Sequence, residues 1–115
     1  MYGWRARVGA ILVSDDMASE CEYALMSPPG VSWHAARMII QDSLAPLTRL
    51  ETMLPHADQA AVALGTLGPD VVMYACTSGS FFRGRSSDEQ HMLQLGELAG
   101  CEVISTSLAV VRALT

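Results

Sequence analysis

The stretch Asp70-Val-Val-Met-Tyr-Ala-Cys-Thr-Ser-Gly-Ser80, DVVMYACTSGS, decides how the rest of the chain is read. Val71 to Ala75 is short, apolar and opens on two β-branched residues, the pattern of a buried strand. The run ends on Cys76, and Thr77, Ser78, Gly79 and Ser80 follow at once. The residues alone leave two readings of Cys76 open. Free cysteine is among the most buried residue types and often only fills a core. A thiolate is also a good nucleophile and a competent proton carrier. In that second reading the N–H groups of Thr77, Ser78 and Gly79, with the hydroxyls of Thr77, Ser78 and Ser80, face an anion or a developing enediolate. Ser/Gly clusters are equally ordinary turns.

Upstream, Leu47, Leu50, Leu54, Ala57, Ala61 and Leu64 step by three and four. That spacing marks one buried face of a helix over Pro46 to Leu67. Pro55 sits inside the stripe and is expected to kink the helix or split it in two, because its ring clashes with the turn before it. Gly65 and Gly68 close the helix, and Pro69 keeps it from resuming. Downstream, Ser86-Ser-Asp-Glu89 has the capping-box pattern. Met92, Leu95, Leu98 and Ala99 then supply a buried helical face, and Gly100 suits its stop. Glu102 to Ser105 is a fourth short strand, and Thr106 or Ser107 can cap a last helix, Leu108 to Leu114.

At the start of the chain, Arg7 to Val13 is a buried strand and Ser14-Asp15-Asp16 a turn and helix cap. Met17 to Met26 reads as a short helix, which Ser27-Pro-Pro-Gly30 ends. A second strand, Val31 to Ala35, follows. Strand and helix thus alternate about four times, which favours an α/β fold with a parallel sheet and helices on both faces. Ligands of such sheets bind beyond the carboxyl ends of the strands. That edge collects Ser14, Asp15 and Asp16 after the first strand, Cys76 after the third, and Ser105 and Thr106 after the fourth.

Composition bounds the function. The chain has 115 residues, enough for one compact domain. Its formal net charge is -5, and its seven cationic residues are scattered arginines. Electrostatic nucleic-acid binding is therefore not expected. No run approaches the roughly 20 apolar residues of a membrane span, and Met1-Tyr-Gly-Trp-Arg5 does not begin a secretory signal. Cys21, Cys76 and Cys101 are odd in number and widely spaced, so neither a zinc site nor a disulfide framework is indicated. The expectation is a reduced, cytoplasmic protein. There is no GxGxxG, Walker A or GxSxG sequence to support nucleotide binding or a serine nucleophile. Cys21 and Cys101 read as structural, His34 as a satisfied edge or core residue, His56 and His91 as solvated helix positions, and Arg83-Gly-Arg85 as a solvated loop.

PDVVMYACTSGSFFRG, Pro69 to Gly84, resembles the first cysteine motif of the aspartate/glutamate racemase superfamily. It is most similar to the branch that holds maleate cis-trans isomerases and arylmalonate decarboxylases. RVGAILVSDDMASECEY resembles the family's first strand and its Glu-x-Glu helix, PPGVSWHAAR its second-strand segment, and GCEVISTSLAVVRAL the strand and helix after the motif. The resemblance implies a flavodoxin-like three-layer αβα fold with a parallel sheet of about four strands. It makes the chain one half of a two-domain racemase-like fold, with the site between the halves, one cysteine from each, and no metal or organic cofactor. In the racemases two thiols remove and return a proton on opposite faces of a carbon beside a carboxylate. In the isomerases the first cysteine adds to a double bond, the central bond rotates, and elimination follows. In the decarboxylases the first cysteine position is glycine.

By the same resemblance, Cys76 matches the first cysteine, and Thr77 and Ser78 match residues that hold substrate carboxylate or enediolate oxygens. Asp16 falls where the isomerases commonly carry a substrate-binding asparagine, and a carboxylate there would repel a dicarboxylate. The second cysteine motif has no counterpart, and Cys101, ahead of the fourth strand, is in the wrong place for it. The expectation is that residues 1–115 form the N-terminal half of a longer two-domain enzyme, inactive alone. Its apolar faces would then meet a missing C-terminal half or, failing that, another copy of the chain. The expected activity is a cofactor-independent, cysteine-dependent isomerisation of a small carboxylate or dicarboxylate. The alternatives are an Asp/Glu racemase, an arylmalonate decarboxylase-like enzyme, or a non-catalytic binding module that keeps the fold.

Overall fold

The computed structural model describes residues 2–39, 46–75, 85–106, 109 and 113–114. The elements run β1 (Ala6–Val13), α1 (Ser19–Met26), β2 (Val31–Met38), α2 (Pro46–Gly65), β3 (Val71–Tyr74), α3 (Arg85–Ala99) and β4 (Glu102–Ser105). The four strands form one sheet in the order β2-β1-β3-β4, and every pairing is parallel. In register, Ile11 of β1 lies opposite Tyr74 of β3, and Tyr74 lies opposite Ser105 of β4.

Strand direction and order fix the layers. Right-handed crossovers put α1 on one face of the sheet, and α2 and α3 together on the other. The packing agrees: α2 lies against α3 and β2, whereas α1 contacts β2. The core sits under α2 and α3. Ile11, Met38, Val72, Tyr74 and Val103 project from the sheet, and Met53, Ala57, Ala61, Leu64, Met92 and Leu95 project from the helices. α2 and α3 approach closely at Gly65, where a Cβ would lie 3.0 Å from the Ala99 carbonyl oxygen. Gly100 then ends α3 with φ +76°, and its N–H donates to the Gly96 carbonyl at 2.8 Å. A glycine accepts that left-handed conformation without steric cost.

Several expectations need correction. β2 runs three residues past Ala35, to Met38, because Ala36 and Met38 face the core and carry the ladder on. α2 is one continuous helix across Pro55. Pro55 and Glu51, the residue whose carbonyl loses an N–H partner, are both exposed, so water can serve that carbonyl. The buried face of α2 includes Met53 and Ala60, while Leu54 is only half-buried. On α3 the buried stripe is Asp88, Met92, Leu95 and Ala99, and Leu98 is 40% exposed. α3 also begins at Arg85, one residue ahead of the expected cap Ser86. Of the last helix, Ala109, Ala113 and Leu114 are helical, and the remainder lies outside the described residues. No helix among the described residues is long and apolar enough to cross a membrane.

Candidate functional site

In a sheet ordered 2-1-3-4 the chain moves outward in opposite directions from β1 and β3, and the crevice for a ligand opens beyond their carboxyl ends. The parallel register brings the expected groups to that edge from both strands. Ser14, Asp15 and Asp16 follow β1. Ala75 follows β3 and donates its N–H to the Ile11 carbonyl at 3.0 Å, so β3 is still held against β1 where it ends. Cys76, Thr77 and Ser78, the expected nucleophile and anion-holding residues, lie outside the described residues, as do Gly79, Ser80 and Arg83.

Asp16 shapes the β1 side. Its Oδ1 accepts the N–H groups of Ala18 and Ser19, each at 3.0 Å, and its Oδ2 accepts the Ser19 hydroxyl at 2.6 Å. These are N–H groups at the start of α1 that have no partner within the helix. The N-cap position of α1 is Ala18, whose own side chain makes no cap bond, so Asp16 is not the N-cap residue that the sequence suggests; it serves the Ala18 and Ser19 N–H groups from the preceding turn. The Ser19 hydroxyl first, then the Ser19 N–H, hold the Asp16 carboxyl below its ordinary value. Asp16 thus presents a negative charge at the ligand edge, already engaged by α1 through both oxygens.

Arg37 completes this corner and was not expected. From the end of β2 its Nη1 donates to the carbonyl oxygens of Val13 at 3.1 Å and Asp16 at 2.8 Å, and its Nη2 pairs with Glu20 of α1. Strand periodicity could have found it. Trp33, Ala35 and Arg37 alternate on the face that meets α1, provided β2 is extended to Met38.

On the far side of the edge, the last residue of β4 and the residue after it carry the two expected hydroxyls. Thr106 Oγ1 donates to the Tyr74 carbonyl at 3.2 Å, and Ser105 Oγ donates to Asp88 Oδ2 at 2.6 Å. Asp88 is the second residue missed. Its spacing of four, seven and eleven from Met92, Leu95 and Ala99 puts it on the buried face of α3, a signal hidden by reading the capping box through Glu89. His91, expected to be solvated, is half-buried and meets the Tyr74 ring edge-on, with centroids 5.4 Å apart.

The remaining expectations concern residues away from this edge. His34 shares a 2.8 Å hydrogen bond with the Ser32 hydroxyl on the edge strand β2, as a satisfied histidine should. Cys21 is exposed on α1. Cys101 is half-buried, and burial first, then Asp70 and Glu102, pushes its thiol above the ordinary value. That is the setting of an inert thiol. Among the described residues no three His, Cys, Asp or Glu side chains gather to hold a metal ion.

Comparison with solved structures identifies the fold. A maleate cis-trans isomerase from Nocardia farcinica superposes with a TM-score of 0.81 at 24% identity, over 95% of this chain and 47% of that one. The maleate isomerase from Pseudomonas putida S16 gives 0.80 at 21%, over 95% and 48%. Arylmalonate decarboxylase gives 0.74 at 20%, over 94% and 45%. The chain therefore has the fold of about half of each of these proteins and spans about half their length. No protein-family model and no curated protein sequence matches it.

Proposed function

We propose that this chain provides one half of the active site of a cofactor-independent isomerase of a small carboxylate, similar to the maleate cis-trans isomerases, with Cys76 as nucleophile. One observation carries the reading. A fold shared with maleate isomerases ends its third strand at the switch point, and two residues on in sequence stands a cysteine followed by Thr77 and Ser78. A ligand crevice is expected there on general grounds.

The chemistry balances without a co-reactant. The Cys76 thiolate adds to one carbon of a cis double bond, and the electron pair moves onto the neighbouring carboxylate as an enediolate. Thr77, Ser78 and nearby backbone N–H groups hold those oxygens. The former double bond is now single and rotates. Return of the electron pair expels the thiolate and leaves the trans alkene. A variant of the Nocardia farcinica enzyme carries a covalently bound succinylcysteine intermediate, which supports this order of events for the relative. The matched structures are about twice as long as this chain, and the reading assigns the second thiol and the remaining substrate contacts to a second half. It places the protein in the cytoplasm, where thiols stay reduced.

A second reading, proton transfer in a racemase or decarboxylase, is favoured by the fold shared with arylmalonate decarboxylase and by the negative Asp16, which suits a monocarboxylate better than a dicarboxylate. Iodoacetamide labelling of Cys76 across pH tests the common premise. A site thiol labels with a midpoint below that of ordinary cysteine, near 8.5. A midpoint at or above that value overturns both readings and leaves a non-catalytic module.

A further inference from the structure

β2 is one edge of the sheet, and no strand lies against its outer side among the described residues. The Ser14 N–H donates to the Met38 carbonyl at 2.8 Å, so Met38 turns its main-chain groups toward β1. Alternation along the strand then turns the N–H and C=O of Trp33, Ala35 and Arg37 outward. Among the described residues no backbone hydrogen bond takes up those groups. A groove of about 450 Å³ between α1 and β2 is lined by five consecutive strand residues, Val31 to Ala35, and by Tyr2. Successive side chains of a strand point to opposite faces, so a groove bordered by five in a row reaches along the free edge.

Natural edge strands are blunted by shortness, proline, a bulge or charge. The other edge, β4, has four residues and opens on Glu102. β2 has eight residues, VSWHAARM, contains no proline, and pairs with β1 one for one without a bulge. Its one arginine, lysine or acidic residue is Arg37, and that guanidinium turns back to the Val13 and Asp16 carbonyls and to Glu20. The charge is therefore spent inside the chain and does not guard the edge. Apolar side chains border it instead. Tyr2 is exposed, as are Leu25 and Met26, which stand between the groove-lining Ala24 and Ser27. Such a border marks an interaction surface.

We propose that the occupant of this edge is the same edge of a second copy, with β2 antiparallel to β2 across a two-fold axis. Two identical strands can offer identical bonds to each other only in that direction, because the bonding residues of a parallel ladder are offset. One register pairs the three outward residues entirely among themselves. It sets Ala35 opposite Ala35 of the second copy, and Trp33 opposite Arg37 of the second copy. A small side chain then lies on the axis, and no like charges are directly opposed. A shift of the axis to Arg37 would oppose two arginines. The contact joins two four-stranded sheets into one continuous sheet.

The test is sedimentation equilibrium of the 115-residue chain, 12.3 kDa as a monomer. Wild type is expected to reach twice that mass, in a concentration-dependent equilibrium. Ala35→Pro removes the outward N–H at the axis and leaves the groups that bond β1, a change that an edge strand accepts. It should raise the dimer dissociation constant at least roughly tenfold, since both bonds of the central pair are lost, with the circular dichroism unchanged. Ala35→Lys puts like charges on the axis and should do the same. In Ala35→Cys, mild oxidation should link position 35 to position 35 of the second copy, because opposed residues that exchange both hydrogen bonds have Cα atoms about 5.5 Å apart, within disulfide reach. Peptide mass spectrometry identifies that link. A wild-type chain that stays monomeric at every concentration overturns the proposal and leaves the edge to a strand of another protein. A dimer that both Ala35→Pro and Ala35→Lys leave intact overturns it as well, by placing the contact elsewhere. If Ala35→Pro does not fold, Ala35→Lys decides.

Discussion

Arg37, one residue from the end of β2, donates to the main-chain oxygen of Asp16 at 2.8 Å, while the Asp16 carboxylate accepts the first N–H groups of α1. The two residues together shape the turn at the candidate ligand edge. One guanidinium fixes its carbonyls, and one carboxylate starts the next helix. Arg37→Ala is expected to lower stability by about 1–2 kcal/mol, mostly from lost bonds to carbonyls. The ion pair with Glu20 adds little, since both side chains are well exposed. Arg37→Lys should recover only part, because one ammonium cannot reproduce the planar fork. Urea midpoints of the three proteins check this.

Asp16 predicts a pH dependence. Its carboxyl is held below the ordinary 3.8 in the folded chain. A lowered value means that the carboxylate stabilises the fold above the unfolded pKa, and that this stability is lost as pH falls through the folded pKa. Asp16→Asn keeps an acceptor for α1 but not the charge. It should be less stable than wild type by up to about 1 kcal/mol at pH 7. The two should converge as pH falls below the unfolded value. Asp16→Ala removes the acceptor of the Ala18 and Ser19 N–H groups and of the Ser19 hydroxyl and should cost about 1 kcal/mol at pH 7. Chemical denaturation at pH 7 and at acid pH measures both differences.

Two glycines separate packing from backbone strain. A methyl at Gly65 would press on the Ala99 backbone, 3.0 Å from its oxygen and 3.2 Å from its Cα. Gly65→Ala should therefore force α2 and α3 apart and cost about 1–3 kcal/mol. A methyl at Gly100 meets nothing within 4 Å, but φ is +76°. Gly100→Ala should cost about 1–2 kcal/mol through the backbone alone. Adding Leu98→Ala, a residue beside the helix contact, should couple to the first substitution and not to the second in a double-mutant cycle.

Cys101 provides an internal control for thiol chemistry. Burial and the neighbouring Asp70 and Glu102 raise its thiol, whereas Cys21 is exposed. With less thiolate at neutral pH, Cys101 should label with iodoacetamide more slowly than Cys21 and catch up as pH rises. Equal rates at pH 7 would show that the strand β4 entrance opens more readily than its burial implies.

The sheet was legible because its signals are short and bounded. β3 and β4 match the expected limits to within one residue, since Pro69 and Gly100 punctuate them and no helical period competes. β2 runs three residues beyond Ala35, and the charge of Arg37 is accommodated there because its side chain reaches out of the strand to the β1–α1 turn. Leu98 was assigned to the core because apolar periodicity counts only apolar residues. The true stripe contains Asp88, and a buried carboxylate is visible only once its Ser105 partner is placed in space. The edge that gathers Asp16, Ser105 and Thr106 followed from strand direction alone. The hydrogen bonds that engage them depend on tertiary register, which no local pattern encodes.

The most direct test of the central claim is capture of maleate by the 115-residue chain, with adducts resolved by peptide mass spectrometry. The account predicts a gain of one maleic acid at Cys76, saturable in maleate, suppressed by excess fumarate, and far faster than at the exposed Cys21. An adduct rate at Cys76 that is linear in maleate and no greater than at Cys21 would contradict it.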